Sequence, residues 1–277
     1  MKRKLFPIVV ITLILIGVVL SIAVYRNSDN FYSKKLVSAI REEDIIEVKK
    51  ILSKKPTCIN AYPGIKWLDD TAEIRAFYPL NVACARNNVE LITLLLENGA
   101  DVNCNDGVTP LSMVYRMKAD NWYEISLILI ESGASLNYTT EYSGKCAGVF
   151  MDIVHDGYLP DPPEREGDDE NVMAAFKYAL ANCDHSNIDW MNVLQHSVSN
   201  DRIEIVKLLL DGGYVNVNYS PYGMTALMFA ARDSTAEMVQ LLLDYGADKS
   251  LRDSDGETAY DYAVRFNNED VVSILQS

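Results

Sequence analysis

The segment GMTALMFAARDSTAEMVQLLLDYGADKS, residues 223–250, decides the fold of this chain. Thr225 stands where a helix N-cap is expected, and the alanine pair that follows it suits close packing of a first helix. The second half is rich in apolar residues, namely Met238, Val239, Leu241, Leu242 and Leu243. A helix with so many apolar positions has to be covered on most of its sides. Gly246 occupies the left-handed position that ends a helix, so the segment predicts two short, covered helices.

The same plan recurs along the chain with a period close to 33 residues. Thr258 follows Thr225 by 33 residues, and Asn192 precedes Thr225 by the same number. Further copies occupy 78–103 and 107–137. A single helix pair of this kind cannot bury its apolar face alone, so the sequence predicts a stack of pairs in which each pair covers the next.

These copies resemble the ankyrin repeat, whose pattern runs T-P-L-H-x-A-A, then I-V-x-L-L-L, then G-A-D-V-N. The matching stretches are TPL at 109–111, LLLENGADVN at 94–103, EIVKLLLDGG at 204–213, TALMFAA at 225–231 and LLLDYGAD at 241–248. The histidine of the pattern is replaced in successive units by Asn81, Ser112, Gln195, Met228 and Asp261, so its bonds between hairpins are not expected in their usual form. The resemblance implies an all-α ankyrin repeat solenoid of helix-turn-helix units joined by hairpin turns.

The repeat array is expected to occupy 34–277 and to contain about seven units. Residues 34–60 keep the two-helix plan with a charged outer face, which is typical of an N-terminal cap. The fourth unit, 138–187, is degenerate, and only the stretches 146–157 and 170–183 suit its two helices.

Two insertions interrupt the array. The first, at 61–77, carries Trp67 on an extended hairpin. The second, at 157–171, contains three prolines and six carboxylates against one arginine. Insertions in repeat proteins often lie on a binding face, although a tolerated surface loop is the simpler alternative.

The N-terminal stretch 1–25 predicts a signal anchor or a signal peptide, followed by a short linker at 26–33. Residues 5–25 contain no charge, and as a helix rising about 1.5 Å per residue they can span a bilayer core of ~30 Å. Small residues near Ala23 permit cleavage, which would release a secreted protein. The apolar run is longer than a usual signal-peptide core, which favours an uncleaved transmembrane anchor.

The basic cluster ahead of this stretch bears on the membrane orientation. Lys2, Arg3 and Lys4 favour an N-terminus that stays in the cytoplasm, with the C-terminal domain exported and periplasmic in a Gram-negative host. Basic residues on the far flank, Arg26 among them, leave the reverse orientation open.

The chain is strongly acidic, with a formal net charge of −14 at pH 7. Such a surface repels the phosphate backbone of nucleic acid, so nucleic acid is not expected as a partner. A protein partner with a basic surface would suit it better.

The sequence predicts no enzyme, cofactor or metal site. Of the three histidines, His155 could share a helix face with Asp152, but no third ligand is evident, and His185 and His196 lack a nucleophile arrangement. No phosphate loop or dinucleotide motif occurs. The cysteines are odd in number and lack a C-x-x-C pair, so zinc is not indicated; they are Cys58, Cys84, Cys104, Cys146 and Cys183. Mostly free thiols are favoured because the small-residue positions of a repeat accept cysteine as a hydrophobic residue, whereas export would leave one disulfide open, with no pair selected by the spacing.

The resemblance also implies a protein-binding groove, because positions before each motif threonine and after the alanine pair face a concave surface in this family. The residue types that dominate binding hot spots are tyrosine, tryptophan and arginine. The predicted protein-binding residues are Asp106, Val108, Arg116, Tyr138, Tyr142, Met191, Tyr219, Tyr222, Met224, Arg232, Asp255, Glu257 and Arg265. Within this set, Tyr219, Tyr222 and Met224 share one hairpin tip and are the first choice for the binding site.

The expected function is therefore a non-enzymatic protein–protein interaction module that is exported or anchored to the membrane through residues 5–25. Resemblance to exported bacterial ankyrin proteins suggests an immunity or inhibitor protein that neutralises a toxic effector. The alternative is an envelope scaffold or regulatory protein that supports a membrane or periplasmic enzyme.

Overall fold

A computed structural model describes residues 24, 28–62, 78–105, 107–138, 148–154, 168–186, 188–221 and 223–276. Every regular element within these ranges is helical and none is a strand, which confirms the all-α prediction. The predicted transmembrane stretch and most of both insertions lie outside the described residues. Among the residues that are described, no helix has both the length and the apolar character needed to cross a membrane.

The helices follow one another in pairs. In chain order they are α1 Asp29–Arg41, α2 Ile45–Lys54, a 3-10 helix Pro56–Asn60, α3 Pro79–Ala85, α4 Val89–Glu97, α5 Pro110–Met117, α6 Trp122–Glu131, α7 Gly148–Val154, α8 Asp168–Asn182, α9 Trp190–Ser199, α10 Ile203–Asp211, α11 Ala226–Asp233, α12 Ala236–Asp244, α13 Ala259–Arg265 and α14 Glu269–Gln276. The first helix begins inside the stretch 26–33 predicted as a linker, because the Ser28 hydroxyl accepts a hydrogen bond from Phe31 N at 3.2 Å and caps it.

Contacts divide the chain into two compact units. The first comprises Met1–Val114 with Ala119–Ala134, and the second comprises Tyr115–Lys118 with Ser135–Ser277. In the first unit, α1, α2, α3 and α4 pack around fully buried Leu36 and Ile40. In the second unit, α7 packs on α8 and α9, and the remaining pairs follow in chain order.

The degenerate fourth unit has a packed core despite its weak pattern. Phe150 of α7 and Phe176 of α8 are both fully buried, with ring centroids 5.1 Å apart at an edge-to-face angle of 64°. Gly148 begins α7, and a Cβ at that position would lie only 2.5 Å from the carbonyl oxygen of Tyr138. The close approach of Tyr138 to this backbone therefore requires glycine at position 148.

Three of the second helices each contain three consecutive leucines, of which one is fully buried and two are partly exposed. The central leucine is fully buried in each case, as Leu95, Leu209 and Leu242. Its two neighbours are only partly buried, because adjacent helix residues point about 100° apart. The prediction that the second helix is covered on most sides is thus too strong, since Met238, Val239 and Leu242 form one buried face.

Left-handed glycines end the second helices. Gly246 has a φ of +83°, as predicted, and Gly99, Gly133 and Gly213 occupy the corresponding turns. The predicted N-cap is confirmed as well, since the Thr225 hydroxyl accepts a hydrogen bond from Met228 N at 3.3 Å.

An asparagine at the end of one repeat bonds to the glycine turn of the next. Asn218 Nδ2 donates to the carbonyl of Gly246 at 3.0 Å, and its Oδ1 accepts from Asp248 N at 2.8 Å. Asn60 makes the same pair of bonds, to Gly99 O at 2.9 Å and from Asp101 N at 2.8 Å. These paired bonds join successive repeats within each unit.

One replacement of the motif histidine keeps a bond between hairpins. Asn81 Nδ2 donates to the carbonyl of Val108 at 2.9 Å. Asp261 instead accepts from the backbone N–H of Thr258 at 2.8 Å and completes a capping box at its own helix. The residues at the motif-histidine position therefore make different hydrogen bonds in different repeats.

The division within the leucine triplet gives a stability test. We expect Leu242→Ala to lower the free energy of unfolding by about 2–5 kcal/mol, because it leaves a cavity in a closed core. Leu241→Ala makes the same chemical change at a partly exposed position and should lower it by only about 1 kcal/mol. Urea unfolding followed by circular dichroism measures both, and equal losses would contradict the placement of these side chains.

Candidate protein-binding surface

Three of the predicted binding residues, Asp106, Tyr142 and Tyr222, lie outside the described residues. The other ten fall on both units and have very different exposure. Their role in binding stays a prediction, but the structure separates those that a partner could touch from those that the protein itself uses.

Tyr138 and Met191 do not have the exposure predicted for them. Tyr138 is only 8% exposed, and its hydroxyl donates to Asp152 Oδ2 at 3.0 Å. Met191 is 4% exposed, because α9 begins at Trp190 and places Met191 on the same buried face as Leu194 and Val198. Both residues belong to the core of the second unit rather than to a hairpin tip.

Arg116 and Val108 have structural partners. Arg116 Nε lies 4.0 Å from Asp152 Oδ1, and about a fifth of its side chain is exposed. The carbonyl of Val108 accepts the hydrogen bond from Asn81. Asp152, which was considered as a metal ligand with His155, is buried between Tyr138 and Arg116 instead, and His155 lies outside the described residues.

The last hairpin carries an ordered group of polar and aromatic side chains. Glu257 Oε2 lies 2.7 Å from Arg265 Nη1, and the Arg265 guanidinium lies 4.5 Å from the ring centre of Tyr262. The Tyr262 hydroxyl donates to Asp253 Oδ2 at 2.7 Å. This bond, together with backbone N–H donors, holds the pKa of Asp253 below its usual value. Asp255 is exposed in the same turn.

Arg232 on α11 is partly exposed and contacts its neighbours on the helix. Its guanidinium forms an ion pair with Asp233 and lies 5.1 Å from the ring centre of Phe229. This position after the alanine pair is therefore an arginine held over an aromatic ring, as it is at Arg265.

The hairpin tip chosen from the sequence is exposed where it is described. Tyr219 is 58% exposed, and Met224 is partly exposed. Tyr219 also borders an open cleft of about 490 Å³, together with Trp190 and Tyr214. We call this feature the aromatic cleft and define it by Trp190, Tyr214, Tyr219 and Asp189.

Sequence reasoning missed Trp190 and Tyr214. Their ring centroids lie 4.8 Å apart at 45°, and the His185 ring stands edge-on to both at 5.5 and 5.9 Å. Trp190 also packs on buried Phe150 at 5.0 Å, which anchors the cleft to the core. Two features of the sequence could have indicated them. An aromatic residue stands just outside the repeat pattern in DHSNIDW at 184–190 and again in GGY at 212–214.

The aromatic cleft is acidic. The residues that line it include the carboxylate of Asp189 and no lysine or arginine. Asp184 lies close in sequence, and hydrogen bonds from the Ser186 backbone N–H and hydroxyl, each 2.9 Å, hold the pKa of Asp184 below its usual value. Both carboxylates are thus in position to carry negative charge near the cleft.

The described cysteines form no disulfide, and burial raises the thiol pKa of three of them. Burial raises the pKa of the Cys58 and Cys183 thiols to about 11 and raises that of Cys84 still further. Free thiols at Cys58, Cys84, Cys104 and Cys183 agree with the prediction, and Cys146 lies outside the described residues. Such thiols are poor nucleophiles because the thiolate is scarcely populated at neutral pH. The part of the chain that the structure covers groups no three metal-ligating side chains.

Comparisons with known proteins agree with the repeat pattern. A family profile described as ankyrin repeats (3 copies) matches residues 36–140, 167–253 and 216–277. The crystal structure of the human ASB11 ankyrin repeat domain covers 87% of this chain and 96% of its own, with a TM-score of 0.58 at 24% identity. A complex of the Bd0816 predatory endopeptidase from Bdellovibrio bacteriovorus with the immunity protein Bd3460 covers 88% of this chain and 97% of its own, with a TM-score of 0.44 at 22% identity.

Two curated plant proteins are also similar. The probable E3 ubiquitin-protein ligase XBOS33 of Oryza sativa subsp. japonica is 24% identical over 229 residues, which is 72% of this chain and 42% of that protein. The E3 ubiquitin-protein ligase XBAT33 of Arabidopsis thaliana is 31% identical over 97 residues, which is 35% of this chain and 17% of that protein. The chain therefore spans less than half the length of either relative.

The bonds around Asp253 give a pH-dependent test. Because the folded pKa of Asp253 is lowered, its charged form stabilises the fold above the ordinary aspartate pKa, and the effect is lost as the pH falls through the folded value. We expect Asp253→Asn to destabilise the protein at pH 7 and to cost less stability at a pH below the ordinary aspartate pKa of about 3.9. Asp255→Asn removes the same charge from the same turn and should have little effect at either pH. Urea unfolding at both pH values measures this, and a pH-independent loss in Asp253→Asn would contradict it.

Proposed function

This chain belongs to the ankyrin repeat family, and we propose that it is a non-enzymatic, membrane-anchored module that binds a protein partner. The hairpin tips and first helices of the second unit would carry the contact. The observation that carries this proposal is the tip at Tyr219, which exposes 58% of a tyrosine beside an open aromatic cleft.

The composition of this surface supports protein binding. Tyrosine, tryptophan and arginine dominate hot spots because they bury a large area at a small cost in conformational freedom. Trp190, Tyr214 and Tyr219 meet at one cleft, and Arg232 and Arg265 lie on the following first helices. The described cysteines are buried or weakly acidic thiols, which fits a binding role better than covalent chemistry.

The proposal of a membrane anchor rests on the uncharged stretch 5–25 and the basic cluster before it. With that orientation the repeats would be exported. The partner that we propose is then a toxic effector, which the repeats would occupy and neutralise, and an envelope enzyme held by a scaffold is the alternative. The ligase names of the two plant relatives are not extended to this chain, because it spans too little of either protein.

Export can be tested in intact spheroplasts of the host that carry the full-length chain. We expect an added protease to degrade the repeat domain while a cytoplasmic marker protein stays intact. A variant in which Lys2, Arg3 and Lys4 are replaced by uncharged residues tests whether these charges set the orientation. Their loss should reduce the exported fraction. A repeat domain that stays protected until the membrane is disrupted would contradict the proposed orientation.

Binding can be tested by brief crosslinking of the tagged full-length protein in its host, followed by identification of the captured proteins. A single stoichiometric partner encoded nearby would support the effector, whereas several envelope proteins would favour the scaffold. We expect the triple variant Tyr219→Ala, Tyr222→Ala and Met224→Ala to lower affinity for the captured partner by at least about tenfold.

The matched control is Tyr178→Ala on α8, because Tyr178 is 41% exposed and lies away from the proposed tip in the repeat plan. It should leave the affinity within about twofold. Unchanged affinity in the triple variant would show that the partner binds elsewhere.

A further inference from the structure

We propose that the aromatic cleft of the second unit receives an arginine side chain presented by the protein partner. The proposal rests on the proposed protein-binding function and names the chemistry that one part of its surface recognises. It follows from three features of the cleft: its aromatic walls, its charge and the way its walls are held.

Three aromatic side chains line the cleft. Trp190, Tyr214 and Tyr219 border one open space of about 490 Å³, a volume within the usual range of about 300–1,000 Å³ for binding pockets. Cations are attracted to the negative face of an aromatic ring, most strongly for tryptophan. A positively charged side chain that enters this space can therefore lie against more than one ring.

The charge of the cleft favours a cation and disfavours an anion. Asp189 contributes a carboxylate to the lining, and Asp184 accepts hydrogen bonds from Ser186, which also lines the cleft. The N-terminus of α9 contributes about half a positive charge, which the full negative charge of Asp189 more than offsets. The net charge of −14 on the chain adds attraction at longer range.

Arginine fits this combination better than lysine. A guanidinium is planar and weakly hydrated, so it can stack on a ring while its N–H groups donate to a carboxylate. Asp189 Oδ1 accepts a hydrogen bond from Asn192 N at 3.2 Å, which fixes the carboxylate at the cleft. A carboxylate has about four acceptor positions and can therefore accept hydrogen bonds from several donors at once.

The walls are held in place before any partner arrives. The Tyr214 ring lies so close over Gly212 that a Cβ there would come within 2.4 Å of Cε2. The ring also stands edge-on to His185 at 5.9 Å, and His185 Nε2 donates to the carbonyl of Leu180 at 2.8 Å. Trp190 is fixed by Phe150 at 5.0 Å. Binding therefore requires little reordering of these rings, which favours affinity.

The test uses the full-length protein in nonionic detergent micelles, labelled with 5-fluorotryptophan. The chain has three tryptophans, and the Trp190→Phe variant assigns the Trp190 fluorine signal by its loss. The probe is the blocked peptide acetyl-Gly-Arg-Gly-amide. Its control is the same peptide with citrulline, which keeps the planar shape but lacks the charge. We expect a saturable shift of the Trp190 signal with arginine and a response at least about fivefold weaker with citrulline.

Matched variants separate recognition at the cleft from general attraction to an acidic protein. Asp189→Asn removes the charge but keeps a good N-cap for α9, and it should weaken arginine binding by about fivefold. Asp44→Asn makes the same change at the N-cap of α2, where Asp44 Oδ1 accepts from Glu47 N at 2.9 Å. That control should leave the affinity unchanged. Tyr219→Ala removes one wall from an exposed position and should weaken binding without unfolding.

Several outcomes would overturn the inference. It fails if the Trp190 signal does not move, if citrulline or lysine peptides bind as well as arginine, or if Asp44→Asn weakens binding as much as Asp189→Asn. The capture experiment with the triple tip variant decides the proposed function separately. If the triple tip variant loses its partner while the wild-type protein does not bind the arginine peptide, the protein binds a partner at the tip but the cleft does not bind arginine.

Discussion

At one junction in each unit, a single asparagine side chain makes a pair of hydrogen bonds that joins successive repeats. Asn60 and Asn218 each donate to a carbonyl at a left-handed glycine and accept from the backbone N–H two residues later. Only an amide offers a donor and an acceptor at this spacing, since a carboxylate cannot donate. The bonds satisfy a carbonyl left open at the end of one helix pair, and they fix the direction in which the next hairpin leaves.

The residue after this asparagine shows how local packing decides whether a tyrosine is buried or exposed. Asn137 and Asn218 are both followed by tyrosine, and both asparagines accept a backbone hydrogen bond from the next repeat. Tyr138 nevertheless turns inward, because Gly148 leaves room for it and Asp152 accepts its hydroxyl. Tyr219 is instead 58% exposed and borders the aromatic cleft. Two similar sequence positions thus acquire opposite roles.

The fold could be predicted from the sequence because its signals are local and repeated. Thr225, the buried Leu242 and Gly246 each act within one helix or turn, and the period close to 33 residues relates the clear copies to one another. The aromatic cleft could not be predicted in the same way. It joins Trp190, which opens one repeat, to Tyr214 and Tyr219, which close it, and it depends on the degenerate unit before it for Phe150. Such a combination follows from three-dimensional packing rather than from spacing. The burial of Met191 likewise depends on the start of α9 at Trp190. The weak repeat pattern of the degenerate unit before it did not define that start.

A fixed scaffold and a strong net charge make different contributions to binding. The net charge of −14 acts over a Debye length of ~10 Å and would raise the association rate of a partner with a basic surface. It does not distinguish one basic partner from another. Selection needs groups whose positions are set before contact, because each side chain that must be ordered on binding costs about 0.5–1.5 kcal/mol. Trp190 and Tyr214 are held by Phe150, His185 and Gly212, so the conformational cost of ordering them has already been met in folding. Aromatic side chains that the fold already holds in place would therefore lower the cost of specific recognition by this repeat scaffold.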